Sequence, residues 1–282
     1  MLIKSYLIKI IQGLHSGLYI LTEPLLRLNS KEKDGNFLKS TYFKFLLSPA
    51  VKLPYKLGRS VRGVQFEGSK DVYSKVVVEI LENKSLNEIT KKLHEEYQNC
   101  KHKSVFDINN FLSSSKIKSQ PSWLMIYPWE DININTLRKN YLNSFYNNRS
   151  ANGMSFTNKK LEYIEDRMTS YDAAKSHILQ FRNLINNIKR YGYVENRYDY
   201  PTAVILIKDD KWKWMMSSSG NHRAHIKKEL NFNYINCKII GIVNLSKIKG
   251  FKNVTNQIFN EEEATILFEN VFEGKIPVRG VL

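Results

Sequence analysis

Cysteine is nearly missing from this chain: Cys100 and Cys237 lie far apart and form no CxxC pair. That excludes a disulfide framework and a zinc ribbon, and it fits a reducing, cytoplasmic compartment. Long apolar runs are missing too. The longest uncharged stretch, Ile10 to Thr22, is about 13 residues, short of the roughly 20 that a spanning helix needs. The apolar start around Met1–Ile11 has the look of a signal peptide. It is interrupted by Lys9, Gln12 and His15, and no small-residue cleavage site follows it. A helix lying on a membrane surface, with Lys4 and Lys9 at its edge, competes with an ordinary helix packed on its own domain. No internal repeat and no heptad run is present.

Acidic residues are under-represented. Lys and Arg number 43 against 27 Asp and Glu, for a net charge of +16. Such a balance favours anionic partners: nucleic acid, acidic lipid surfaces, or phosphorylated and carboxylated substrates. A Lys-, Asn- and Ile-rich bias of AT-rich coding gives the same charge without selection for binding, so charge alone names no partner. The distribution is uneven, however: residues 1–62 hold eleven Lys/Arg and three Asp/Glu. Within residues 37–66, Phe37, Tyr42, Phe43, Phe45 and Tyr55 alternate with Lys39, Lys44, Lys52, Lys56, Arg59 and Arg62. With 282 residues, 42% hydrophobic and 12% aromatic, the chain can bury a sizeable core in one or two domains.

The first third shows no strong strand pattern. Leu2 to Leu28 reads as helical with a break before Pro24, and Pro49 and Pro54 argue against a continuous helix over 36–62. Two short helices are expected, Asp71–Glu82 and Ser85–Gln98, the second opened by a Ser85/Glu88 capping box. Residues 101–120 are polar, with Ser113-Ser114-Ser115 at their centre, and read as a surface excursion and a domain boundary. Beyond them Trp123–Tyr127 looks like a strand that runs into Pro128-Trp129-Glu130-Asp131. A helix begins at Thr169-Ser170-Tyr171-Asp172, carries the stripe Ile178, Phe181, Ile185 and Ile188, and stops at Gly192.

Next come a buried strand, Thr202–Ile207, a turn at Asp209-Asp210, and a second strand from Lys211. A turn then leads into a short helix, His222–Leu230, and Tyr234–Ile240 is a further strand. A last helix, Glu261 to Phe272, is capped by Asn260. Its three first-turn glutamates match the helix dipole rather than a metal set.

The turn is the sharpest motif. Ser217-Ser218-Ser219-Gly220-Asn221-His222-Arg223 joins a strand to a helix. The free N–H groups of a helix start, the dipole behind them and the forked donor of Arg223 suit a phosphate. His222 and His225 are three apart, but no Cys or carboxylate nearby completes a zinc set.

This constellation resembles the nucleotide-binding domain of the ParB/sulfiredoxin superfamily. There a Gly-x-His-Arg or Gly-x-Arg-Arg box opens a helix and binds nucleotide phosphates. The resemblance covers about residues 122–245 and rests on Gly220-Asn221-His222-Arg223 between the Trp214 and Ile235 strands. It implies an α+β fold, a mixed sheet with flanking helices, plus a mainly helical N-terminal region. The expected divisions are 1–120, basic and of unknown role; 121–245, nucleotide-binding; and 246–282, an extension with one helix. Superfamily members include CTP-dependent DNA clamps, ATP-using sulfiredoxins and small-molecule kinases acting on free serine. Sulfiredoxins carry cysteine where this chain has Asn221, so their chemistry is not expected. The 37 residues after Leu245 hold one convincing helix, so a partition clamp with a helix-turn-helix domain is not expected either. The layout is also similar to superfamily proteins that occur with surface-polysaccharide enzymes.

The resemblance implies ATP or another NTP, with Mg2+, held by Ser219, Gly220, Asn221, His222 and Arg223. Ser217 and Ser218 would supply further hydroxyls. His177 and Arg182, with Lys175, lie on the helix that flanks the nucleotide in this fold. Glu130 and Asp131 follow the first expected strand, where related kinases place a catalytic acid, and His222 would donate to a phosphoryl oxygen. Two functions follow. One is ATP-dependent phosphoryl transfer to a small-molecule or saccharide hydroxyl. The other is a non-enzymatic, nucleotide-responsive protein that contacts nucleic acid or an anionic surface through residues 1–66.

Overall fold

The computed structural model describes residues 50–68, 71–192, 200–217 and 219–280. The helix expected over Leu2–Leu28, the part of the aromatic and basic stretch that precedes Ala50, and Ser218 lie outside the described residues.

The fold is α+β, built on a five-stranded mixed sheet. Its strands are β1 (Val51–Pro54), β2 (Gly58–Arg59), β3 (Thr202–Lys208), β4 (Lys211–Met216) and β5 (Tyr234–Asn244), in the spatial order β1-β5-β3-β4-β2. β5 serves two partners in succession. Tyr234–Cys237 pairs antiparallel with β1, and Lys238–Asn244 runs parallel to β3. β3 and β4 form the expected hairpin, with Asp209 at φ 53° in its turn. β3 is apolar on both faces because both are covered. Ala203, Ile205 and Ile207 face one cluster with Trp214, Leu53, Tyr55 and Ala224, whereas Leu206 joins Met215, Leu267 and Phe268 on the other side.

The helices are α1 (Val72–Leu81), α2 (Leu86–Lys101), α3 (Val105–Ile108), α4 (Ile134–Ala151), α5 (Leu161–Arg167), α6 (Tyr171–Tyr191), α7 (Asn221–Glu229), α8 (Lys252–Thr255) and α9 (Glu261–Glu273). α1, α2, α4, α5 and α6 bury Val77, Leu93, Leu142, Ile164 and Phe181 in one shared cluster, against which α7 sets Ile226. α6 begins where expected, with the Ser170 hydroxyl accepting from Ala173 N–H, and it ends at Gly192. α9 opens with an Asn260/Glu263 capping box, and Glu263 also accepts from the backbone N–H groups of Ser114 and Ser115. The first-turn reading of that glutamate therefore holds.

Four expectations need correcting. The 36–62 stretch showed no strand, yet β1 and β2 lie in it. Each is too short to show alternation, and β1 is an edge strand ending at Pro54, where no ladder N–H is required. Trp123–Tyr127 is not a strand but a 3₁₀ turn (Ser122–Leu124) followed by buried irregular chain. Side chains replace a ladder there. Glu130 accepts from Tyr127 N–H, Arg279 donates to Met125 O, and Asn253 donates to Tyr127 O. The Ser85/Glu88 capping box is not formed, although Ser85 does occupy the N-cap. Finally, residues 101–120 are no loose excursion, because Val105, Leu112 and Ile117 are buried against α9 and its neighbours.

Candidate functional site

The site is assembled where the end of β4, the start of β3 and the start of α7 meet. Gly220 has φ 89° and ψ 5°, a left-handed conformation. A Cβ at this position would lie 2.5 Å from Pro201 Cβ and 2.9 Å from Pro201 Cα. Both backbone shape and crowding thus require glycine. The turn is stitched to β3 by Ser217 N–H to Thr202 O at 2.8 Å and Thr202 N–H to Ser219 O at 3.3 Å. α7 then starts with no side-chain cap, and Ala224 N–H is the first to bond back into the helix, to Gly220 O at 3.0 Å. The N–H groups of Asn221 and His222 therefore stand at a helix start with no side-chain cap. The Asn221 side chain accepts from Val61 N–H at 3.5 Å.

Behind the turn runs a chain of buried polar groups. His177, on α6 and 1% exposed, places Nε2 at 2.8 Å from His222 Nε2. Its Nδ1 lies 2.5 Å from the hydroxyl of Tyr97, on α2 and also 1% exposed. The direction of this chain follows from donor counting. Among the described residues His177 is the sole hydrogen-bond partner of the Tyr97 hydroxyl. If Tyr97 accepted, its own buried proton would have no acceptor, a loss worth about 1–3 kcal/mol. Tyr97 therefore donates to His177 Nδ1, His177 Nε2–H donates to His222 Nε2, and His222 keeps its proton on Nδ1. Aromatic rings enclose the pair. The Tyr73 centroid is 5.0 Å from that of His177 and 5.4 Å from that of His222, and Phe181 stacks on His177 at 5.1 Å. Burial, then the Arg149 charge, pushes His177 well below the usual imidazole range, and the same causes in the same order hold His222 down to about 3. Both are neutral near pH 7.

A second cluster adjoins the first. Asp71, the N-cap of α1, accepts from Tyr73 N–H and from the Ser60 hydroxyl, and it lies 3.7 Å from Arg62 Nη1 and 3.8 Å from His225 Nε2. Ser74 Oγ is 3.0 Å from His225 Nδ1. Burial would raise the Asp71 carboxyl, but His225, Arg62 and the two hydrogen bonds outweigh it and hold it below the usual range. Burial also lowers His225, against the pull of Asp71.

Of the sequence-predicted residues, Ser219, Gly220, Asn221, His222, Arg223 and His177 come together. Arg182 is half-buried further along α6 and has no hydrogen bond to the turn, and Lys175 is exposed. Glu130 is engaged with Tyr127 N–H at 2.8 Å and Arg279 at 3.5 Å, and Asp131 is exposed with Lys252 at 3.8 Å. Tyr97, Asp71, His225 and Arg149 were not singled out from sequence as site residues. Tyr97, Asp71 and Arg149 lie on elements distant in sequence from the turn and no motif links them to it, whereas His225 sits on α7 itself, three residues after His222. Among the described residues no group of three His, Cys, Asp or Glu side chains could hold a metal, and no helix is long and apolar enough to cross a membrane. Comparison with family models, curated proteins and solved structures finds no match to this chain.

Proposed function

We propose that this protein binds a nucleotide at the Gly220–Arg223 turn, and that its sheet and flanking helices are of the ParB/sulfiredoxin type. One observation carries the reading. A left-handed Gly220, wedged against Pro201, opens an α-helix whose first turn has no side-chain cap and carries Arg223. Phosphate oxygens would accept from the N–H groups of Asn221 and His222, with Arg223 and His222 Nδ1–H as side-chain donors. The order β3, hairpin, β4, turn, α7, β5 is the order that the resemblance implies, which supports the family reading.

The reaction proposed is phosphoryl transfer from ATP to a hydroxyl of a small molecule or saccharide. Mg2+ would be held chiefly by the phosphates themselves, and Glu130 or Asp131 would serve the acceptor hydroxyl. The engagement of Glu130 with Tyr127 N–H and Arg279 favours a second reading, in which the nucleotide is bound without turnover and governs contact with nucleic acid or an anionic surface.

Incubation of the protein with ATP and Mg2+, beside Arg223→Ala, separates the two. ADP formation that Arg223→Ala loses supports the transferase. Saturable binding without ADP, together with salt-sensitive retention on DNA or acidic vesicles, supports the second reading. Failure to bind any nucleotide removes both.

A further inference from the structure

Arg149 is a buried cation with no anion paired to it among the described residues. It lies in the last turn of α4, where an arginine ordinarily extends into solvent, yet it is only 5% exposed. Nη1 donates to the neutral amide oxygen of Gln180 at 2.6 Å, and the guanidinium lies 5.5 Å from the Phe145 ring centroid. Its Nε is buried without any acceptor. No carboxylate of the described residues pairs with it. A guanidinium keeps its charge throughout the physiological pH range, and an unpaired buried charge opposes folding. Such a group calls for a compensating partner.

Its position points to one. Gln180 lies on α6 one turn beyond His177, so α4 and α6 bring Arg149 beside the His177–His222 pair. After burial, its charge is the next largest cause that holds both imidazoles down, in keeping with that placement. His222 is half-buried, and its Nδ1 has no partner among the described residues. Arg149 supplies charge and His222, across its contact with His177, supplies an uncharged N–H, a combination suited to one oxyanion group.

We propose that Arg149 is an anion-binding residue of this site and takes a phosphate group of the ligand together with His222. The inference rests on the nucleotide reading for the identity of the anion, and on the unpaired guanidinium for its existence. Helix α4 thereby contributes to recognition from a part of the chain that the turn motif does not touch. Ligand phosphate would compensate a charge that the described residues leave unpaired, so binding and stability are coupled at this residue.

Calorimetric titration and thermal unfolding with inorganic phosphate, pyrophosphate and ATP test this on wild type, Arg149→Met, Arg149→Lys and Arg223→Ala. Arg149→Met removes the charge and keeps an apolar stem. It should unfold no lower than wild type without ligand and bind pyrophosphate and ATP about thirtyfold more weakly or worse. Arg149→Lys, which keeps a cation without the fork, should fall between the two. Wild-type affinity in Arg149→Met overturns the proposal; so does a wild type that none of the three anions stabilises. Should Arg149→Met not fold, Arg149→Lys decides alone, and unchanged pyrophosphate and ATP affinity there overturns the proposal. If Arg223→Ala binds normally while the Arg149 variants do not, the turn reading fails and Arg149 stands. The reverse pattern leaves the turn reading in place and removes Arg149.

Discussion

His177 and His222, on α6 and α7, meet through their Nε2 atoms at 2.8 Å, and the Tyr97 hydroxyl fixes which of the two carries the shared proton. This contact joins the helical cluster to the Gly220 turn. It also gives the turn a neutral N–H donor at His222 Nδ1 in place of a second cation.

The pair makes stability pH-dependent. Unfolded, each imidazole takes up its proton near pH 6.5; folded, His177 stays neutral to well below that and His222 to about 3. Across that window the unfolded state holds more protons, so stability is full above about pH 6.5 and falls as pH falls, by about 1.4 kcal/mol per pH unit for each histidine. His225, also lowered by burial, adds in the same direction. Asp71 contributes only at lower pH, since its depressed carboxyl loses stability as pH drops below the usual carboxylate range. Urea unfolding between about pH 5 and 6.5 should show this slope, and His222→Gln should reduce it by roughly one histidine's share. A flat profile for wild type would count against the neutral pair.

Tyr97→Phe tests the direction of the chain. It leaves His177 Nδ1 buried without a donor, at a cost of about 1–3 kcal/mol in unfolding free energy. Nitrogen-15 shifts of the imidazoles should place protons on His177 Nε2 and His222 Nδ1 in wild type. The opposite tautomers would show that Tyr97 accepts.

Gly220→Ala should destabilise by well over the roughly 1 kcal/mol that a left-handed alanine costs by itself, because the new Cβ meets Pro201 at 2.5 Å. Gly153 has φ 86° and no atom within 4 Å of an added Cβ, so Gly153→Ala isolates the backbone cost. Equal losses in the two variants, measured by urea unfolding, would show that Pro201 does not crowd the turn.

What was legible in the sequence was local. Ser170, Asn260 and Gly192 marked helix ends because caps act on neighbouring residues, and Thr202–Ile207 announced itself as a strand because both its faces are apolar. The Gly220 turn was legible for the same reason, a glycine between a strand and a helix. β1 was not, since four residues beside two prolines show no period and are held by pairing with β5, far along the chain. Tyr97, Asp71 and Arg149 were equally silent. Each matters through partners on other elements, His177, His225 and Gln180, and no spacing rule links them. The Trp123–Tyr127 run misled because an unbroken apolar stretch is compatible with any buried backbone whose polar groups find partners.

Arg59 provides a test of the core apart from the site. It is buried and donates to the carbonyls of Val271 and Phe272 at the end of α9, with burial holding its pKa down to about 10. Arg59→Met should cost about 2–4 kcal/mol by leaving those carbonyls without donors, while nucleotide affinity per folded molecule stays unchanged. A loss of affinity would tie α9 to the site.

The most direct test of nucleotide binding is calorimetric titration of the protein with ATP and with CTP, repeated on Arg223→Ala. The expected result is saturable binding of at least one nucleotide by wild type, weakened about tenfold or more in Arg223→Ala, as for a lost charge-assisted hydrogen bond. No binding of either nucleotide, or equal binding by the variant, would contradict a phosphate grip at the Gly220–Arg223 turn.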